Sequence, residues 1–284
     1  MKLLRHGPIG QEKPGLLDAQ GQVRDLSSLI PDLTPQQLAP AALAALQQQV
    51  AAQGSSLPVV APGTRLGVPI AGIRQFLGVG LNYRQHAIEA GMASPTEPIV
   101  FSKSITALAG PDDDLPLPPG SVALDYEVEL GIVIGSTTRR VTQAQALAHV
   151  AGYVLANDVS ERDWQLHRGG QWLKGKCHDG FGPIGPWLVT TDEMPDPQQV
   201  DLKLSVNGEA RQDSSTGDMI FGVAEIVSYL SQFMTLLPGD VIVTGTPQGV
   251  GMGFKPPKYL QHGDVVELSS PQLGRQRQRV VALG

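Results

Sequence analysis

Asp125, Glu127 and Glu129 alternate with apolar side chains in the run Asp125-Tyr126-Glu127-Val128-Glu129-Leu130. On an extended strand this spacing puts the three carboxylates on one face, with Tyr126, Val128, Leu130 and Ile132 on the other. Like charges about 7 Å apart repel and lose hydration as a core closes over them, so such a face calls for a hard divalent cation. The alternative is an edge strand whose acidic face is solvated. His86 and Glu89 form a second group: at i, i+3 on a helix they share a face, and the carboxylate can orient the ring and raise its basicity toward water. An ordinary solvated helical pair has the same spacing. Asp158 follows the strand-like run Gly152–Asn157, where sites are often built and where a lone Asp is also a common N-cap or turn residue. Lys176 sits in the glycine-flanked stretch Lys174-Gly175-Lys176, with few helix or strand cues and a surface role as the default.

These residues need a scaffold, and the chain's periodicity predicts a strand-rich α+β fold. Strands are expected at Phe76–Gly80, Asp125–Ile134, Gly152–Asn157, Leu202–Val206, Val241–Thr244 and Val265–Leu268. Asn207-Gly208 is the strongest hairpin signal, because both central residues of a type I′ turn take positive φ. Pro238-Gly239-Asp240 and His262-Gly263-Asp264 read as turns into strands. Helices are expected over Asn82–Ala90, with Asn82 as N-cap and Gln85 in the capping-box position, and over Thr142–His149 and Ile220–Gln232. Residues 1–70 read as a small separate N-terminal domain with a helix near 40–52, followed by a main domain over 71–284; Gly54–Pro58 and Ala61–Thr64 mark the boundary region.

Composition narrows the class. A net charge of −6 without a basic run argues against nucleic acid. The opening residues lack a signal-peptide apolar core, and no apolar run approaches the ~20 residues that span a bilayer, which predicts a cytoplasmic protein without a membrane partner. The single cysteine, Cys177, fits a reducing compartment and reads as a packing residue rather than a nucleophile. Thr244-Gly245-Thr246-Pro247-Gln248-Gly249 allows close backbone approach to a ligand but lacks the ending of a nucleotide P-loop. No Gly-x-Gly-x-x-Gly helix opening, zinc-type cysteine pair or Gly-x-Ser-x-Gly elbow is present.

Taken together, Asn82-Tyr83 with His86 and Glu89, the Asp125–Leu130 run, Gly152-Tyr153 leading to Asn157-Asp158-Val159-Ser160 and Arg162, Lys176, and Pro238-Gly239-Asp240 leading to Thr244-Gly245-Thr246-Pro247 resemble the fumarylacetoacetate hydrolase family over about residues 70–284. The resemblance implies a mixed β-roll, a Mg²⁺ or Mn²⁺ ion and a homodimer. By position it implies Glu127, Glu129 and Asp158 as metal ligands, and His86, Glu89 and Lys176 as the water-activating pair and assisting lysine. It further implies Arg162, Gln165 and Thr246 in binding a small-molecule diketo acid. Asp125 is not carried over as a ligand, because members of the family do not all have a carboxylate there. The implied chemistry is hydrolysis of a carbon–carbon bond; isomerisation and decarboxylation of 2-oxo acids share the same scaffold. Met1–Pro8, Glu12–Gly15 and Asp25-Leu26 resemble bacterial members often labelled ureidoglycolate lyase, several of which look like hydrolases of 2,4-diketo-3-deoxy-L-rhamnonate or its fuconate counterpart. Those substrates belong to L-rhamnose and L-fucose catabolism and would yield pyruvate and lactate.

Overall fold

Alternating side chains along Val128–Ile134 define the centre of the structure, a computed structural model that describes residues 1–284 apart from the side chain of Ser55. The N-terminal segment forms β1 (Lys2–His6), β2 (Lys13–Leu17), β3 (Val23–Asp25) and α1 (Pro40–Gln53). Next come β4 (Phe76–Gly80), α2 (Arg84–Glu89), β5 (Ile99–Lys103) and β6 (Leu115–Leu117). They are followed by β7 (Val128–Ile134), α3 (Gln143–Ala146), β8 (Val150–Asn157), α4 (Arg162–His167), α5 (Leu173–Lys176) and β9 (Leu188–Thr190). The chain ends with β10 (Asp201–Val206), β11 (Glu209–Ser215), α6 (Val223–Phe233), β12 (Val241–Val243), β13 (Val265–Ser270) and β14 (Gly274–Ala282).

Two large sheets carry this mixed, strand-rich α+β fold. A nine-stranded sheet runs β3-β2-β1-β9-β8-β7-β12-β4-β5, antiparallel throughout except where β12 meets β4, and a five-stranded sheet runs β11-β10-β13-β14-β6. Val128, Leu130, Ile132 and Ile134 face a core shared with β10, β13 and α6, including Leu204, Val266 and Ile226. Val133 faces the opposite way, into a second core that holds Leu3, Leu16, Leu26 and Leu46 of the first seventy residues. β7 is therefore buried on both faces and hydrogen-bonded on both edges, to β8 and β12. This excludes the solvated edge strand as a reading of the acidic run.

The expected strand over Asp125–Ile134 is not continuous. Leu124-Asp125 pairs with Ser160-Glu161, the ladder lapses at Tyr126-Glu127, and regular pairing to β8 resumes at Val128. Asn207 and Gly208 take φ of 53° and 78° between β10 and β11, the positive values a type I′ turn needs. The N-terminal segment joins the rest through a shared sheet, because β1 pairs with β9 as well as with β2. Two local expectations need correction. Helix α2 starts at Arg84 with Tyr83 in the N-cap position, and Asn82 instead turns inward: its amide donates to the carbonyls of Thr244 and Phe221 at 2.7 and 3.1 Å, and its oxygen accepts from the Phe221 N–H. Lys176 is not in a surface loop; it ends α5 with its side chain buried.

Candidate active site

Glu127 and Glu129 flank the start of β7, and Asp158 follows the end of β8, its antiparallel neighbour. The break at Tyr126-Glu127 and the register Ala156↔Glu129 bring the three carboxylates to one place. Each offers an oxygen within 4.8 Å of the others, and all three side chains are buried. Asp125, on the far side of the break, points elsewhere: its carboxylate accepts from Arg162 Nε at 2.8 Å and from the N–H groups of Gly251 and Met252 at 2.7 and 3.1 Å.

Cations surround the cluster unevenly. Lys176 Nζ donates to Glu127 Oε2 at 2.7 Å and Asp158 Oδ2 at 2.6 Å, while Lys103 Nζ, at the end of β5, reaches Asp158 Oδ1 at 2.5 Å. Arg162 Nη2 lies 2.7 Å from Glu127 Oε1, and its Nη1 donates to Gln165 Oε1 at 3.0 Å. Glu129 has no cationic neighbour in contact and accepts only the Gly245 N–H, at 2.7 Å. Four buried carboxylates, counting Asp125, thus face three buried cations. Burial pushes the Glu129 carboxyl well above its usual range, helped by the charges of Asp158 and Glu127. Burial acts on Glu127 in the same direction but is outweighed by Lys176 and Arg162, which hold it at about 2. Lys176 stays cationic because Asp158 and Glu127 overcome the desolvation that would lower it. The residues fit a divalent metal on this ground: the set is all hard oxygen, and the one carboxylate without a counter-charge is driven to hold a proton that a cation would displace.

His86 lies across the same cavity, whose volume is about 380 Å³ and whose lining includes Glu89, Glu127, Glu129, Arg162, Gln165, Lys176 and Thr246. Its Nδ1 is 3.0 Å from Glu89 Oε2, and Glu89 Oε1 accepts the Gly249 N–H at 2.8 Å. A carboxylate on Nδ1 fixes that nitrogen as the protonated one and leaves Nε2 as the base. The pair is therefore no solvated helical ornament. Thr246 is buried, donating from Oγ1 to the Val128 carbonyl at 3.0 Å and accepting from Gln212 Nε2 at 2.8 Å. Arg162 and Gln165 line the cavity bonded to each other, and Arg162 also holds Asp125 and Glu127. Lys103 and the Gly245 N–H were not among the expected site residues. For the first, the sequence offers only a lysine closing the strand Ile99–Lys103, which a solvent-facing lysine would share.

The sequence pattern described as fumarylacetoacetate (FAA) hydrolase C-terminal matches residues 75–281. The chain belongs to the fumarylacetoacetate hydrolase family. A Burkholderia ambifaria relative named only as a hydrolase is 56% identical over 279 residues, covering 98% of each chain. Among solved structures, a Mycobacterium abscessus protein described as a 2-hydroxyhepta-2,4-diene-1,7-dioate isomerase is 38% identical with a TM-score of 0.81, and each chain is fully covered. The maleylpyruvate hydrolase of Sphingobium sp. SYK-6, solved with manganese(II) and pyruvate, is 27% identical with a TM-score of 0.83, again over the whole of both chains. Fumarylacetoacetate hydrolase family members among these neighbours thus include both hydrolases and isomerases. No helix among the described residues is long and apolar enough to cross a membrane.

Proposed function

We propose that this protein is a divalent-metal-dependent hydrolase that cleaves the C3–C4 bond of a 2,4-diketo acid, with water adding to the 4-oxo carbon. The reaction converts one diketo acid and one water into pyruvate and the carboxylic acid of the acyl tail, with release of one proton. The observation that carries this reading is the buried Glu127, Glu129 and Asp158 set sharing one cavity with the His86–Glu89 pair. In this proposal Glu127, Glu129 and Asp158 hold Mg²⁺ or Mn²⁺, which when bound supplies positive charge beside the substrate's carboxylate and 2-oxo oxygens. His86 takes a proton from water at Nε2 while Glu89 keeps the ring in the required tautomer. Lys176, cationic in its place between Glu127 and Asp158, supplies charge for the oxyanion that forms at C4. Arg162 keeps Glu127 ionised, and Gln165 with Thr246 borders the substrate.

An isomerase would need no activated water, so the anchored His86–Glu89 pair favours hydrolysis. The likeness of the first seventy residues to 2,4-diketo-3-deoxy-sugar-acid hydrolases makes 2,4-diketo-3-deoxy-L-rhamnonate the first substrate to assay. Metal-stripped protein should release equimolar pyruvate and lactate only after Mg²⁺ or Mn²⁺ is restored. Acetylpyruvate serves as the general diketo acid control. Conversion of 2-oxo dioic acids without any carbon–carbon cleavage of either diketo acid would overturn the hydrolase reading in favour of an isomerase.

A further inference from the structure

The metal-binding end of the cavity is crowded with charge, and its outer end is not. Apart from the acidic cluster with its cations and the His86–Glu89 pair, the walls include Met92, Phe101, Leu166, Trp172, Val250 and Met252, with Lys255 as the one further charged side chain. Phe101 gives this wall a direction. Its ring centroid is 5.1 Å from Lys176 Nζ on one side and 5.8 Å from the Trp172 ring on the other. The order outward from the cluster is therefore Lys176, Phe101, Trp172. Both rings are seated on the backbone of β4: a Cβ on Gly78 would overlap the Phe101 ring, and one on Gly80 would overlap the Trp172 ring. The wall is thus built by two glycines placed where side chains would have filled the trough. Leu166 and Met92 continue it to the mouth, where they stay 42% and 53% exposed although large and apolar.

From this wall we infer that the site favours an apolar acyl tail, alkyl or aryl, over the hydroxylated tail of 2,4-diketo-3-deoxy-L-rhamnonate or a tail ending in a carboxylate, and that Trp172 sets this preference. The inference rests on the diketo acid reading and names its substrate class. A hydroxyl on the tail would leave water for a wall whose only hydrogen-bonding side chains are the Trp172 indole N–H and the exposed Lys255, with no acceptor among them, and an unpaired buried polar group is costly. A tail carboxylate would meet only Lys255, which is solvent-exposed and screened. Each methylene added to the tail should instead be worth roughly a fourfold gain as it leaves water.

The decisive comparison is a matched pair. Propanoylpyruvate and 2,4-diketo-3-deoxy-L-rhamnonate differ only by the hydroxyl on the tail, so pyruvate release isolates that group. With Mg²⁺-loaded protein, propanoylpyruvate should be cleaved with a kcat/KM roughly tenfold higher, and hexanoylpyruvate should exceed it further. Trp172→Ala should compress the ratio between hexanoyl- and acetylpyruvate toward one. Equal or higher kcat/KM for the hydroxylated substrate, or for a tail of similar length ending in a carboxylate, would overturn the inference and leave the hydrolase intact. A readout without turnover separates the two claims: calorimetric titration of the Mg²⁺-loaded protein with 2-oxo acids from pyruvate to 2-oxooctanoate. Affinity rising with chain length in the wild type but not in Trp172→Ala supports the apolar trough even if no diketo acid is cleaved. Affinity independent of chain length overturns it.

Discussion

Glu129 is the residue on which the site's electrostatics turn. Held neutral by burial and by its neighbours' charges, its folded carboxyl binds a proton more tightly than the unfolded chain does. The unfolded state releases that proton first as pH rises, so the metal-free fold loses stability from the ordinary value of 4.5 upward, toward the raised folded value. Glu127 runs the other way: held at about 2, it contributes stability above its ordinary range that is lost as pH falls toward 2. Thermal melts of the metal-free protein should therefore fall from mildly acidic to neutral pH, and Glu129→Gln, which copies the protonated form, should flatten that decline. The same variant should forfeit the stabilisation of about 2.7 kcal/mol that a hundredfold excess of Mg²⁺ over its Kd confers on the wild type. A Glu129→Gln protein that still gains stability and activity from Mg²⁺ would remove Glu129 from the ligand set. His86→Ala should separate from it cleanly, keeping the metal-induced stabilisation while turnover drops by about 10² to 10⁴. Loss of Mg²⁺ binding in that variant would make His86 a ligand rather than a base. At this scale the chain was readable where chemistry and periodicity agree, as at Glu127 and Glu129. Lys103 was not, because a lone lysine after an apolar run looks the same whether it reaches solvent or bends under the sheet to Asp158.

Short elements carry most of the site, and they are the ones that local pattern reveals least. β4, β7, β8 and α6 are long enough to display their period, and the expected spans overlap the observed ones closely. α4 and α5 are six and four residues long, too short for a 3.6-residue period to repeat, and Gly175 inside α5 weakens what signal there is. Yet they present Arg162, Gln165 and Lys176. The loop after β12 shows how such pieces interlock. Gly253 lies against the Glu89 carboxyl so closely that a Cβ there would overlap it. Gly253→Ala should push Glu89 off His86 and off the Gly249 N–H, lowering kcat by about 10- to 100-fold with Mg²⁺ affinity unchanged. Steady-state kinetics beside a Mg²⁺ titration would show this split; a fall in Mg²⁺ affinity with kcat preserved would contradict it.

For the whole molecule, the first seventy residues matter as cover. Leu3, Leu16, Leu26, Ile30, Leu33 and Leu46 pack on the face of the main sheet that carries Val133, Val154 and Val241. β1 also closes the edge of β9. Deleting residues 1–70 should expose both the apolar face and an open strand edge, giving aggregates by light scattering. A monodisperse truncated protein with unchanged melting behaviour would show that the segment is dispensable. The loop-like boundary at Gly54–Pro58 and Ala61–Thr64 was visible in the chain, but the sheet partner of the first segment was not: β9 is only three residues long, and nothing local ties Leu188 to Leu3.

That pairing also sets a timetable. Leu3 leaves the ribosome far ahead of Leu188, its partner; at the usual ~5–20 residues per second the wait is on the order of ten to forty seconds. Throughout it the early strands β1 to β3 lack the β9 edge that ties them to the main sheet. By the time β9 emerges, Glu127, Glu129 and Asp158 have already been synthesised, while Gly249, which anchors Glu89, has not. The nascent chain holds all three carboxylates before it has the glycines that anchor Glu129 and Glu89.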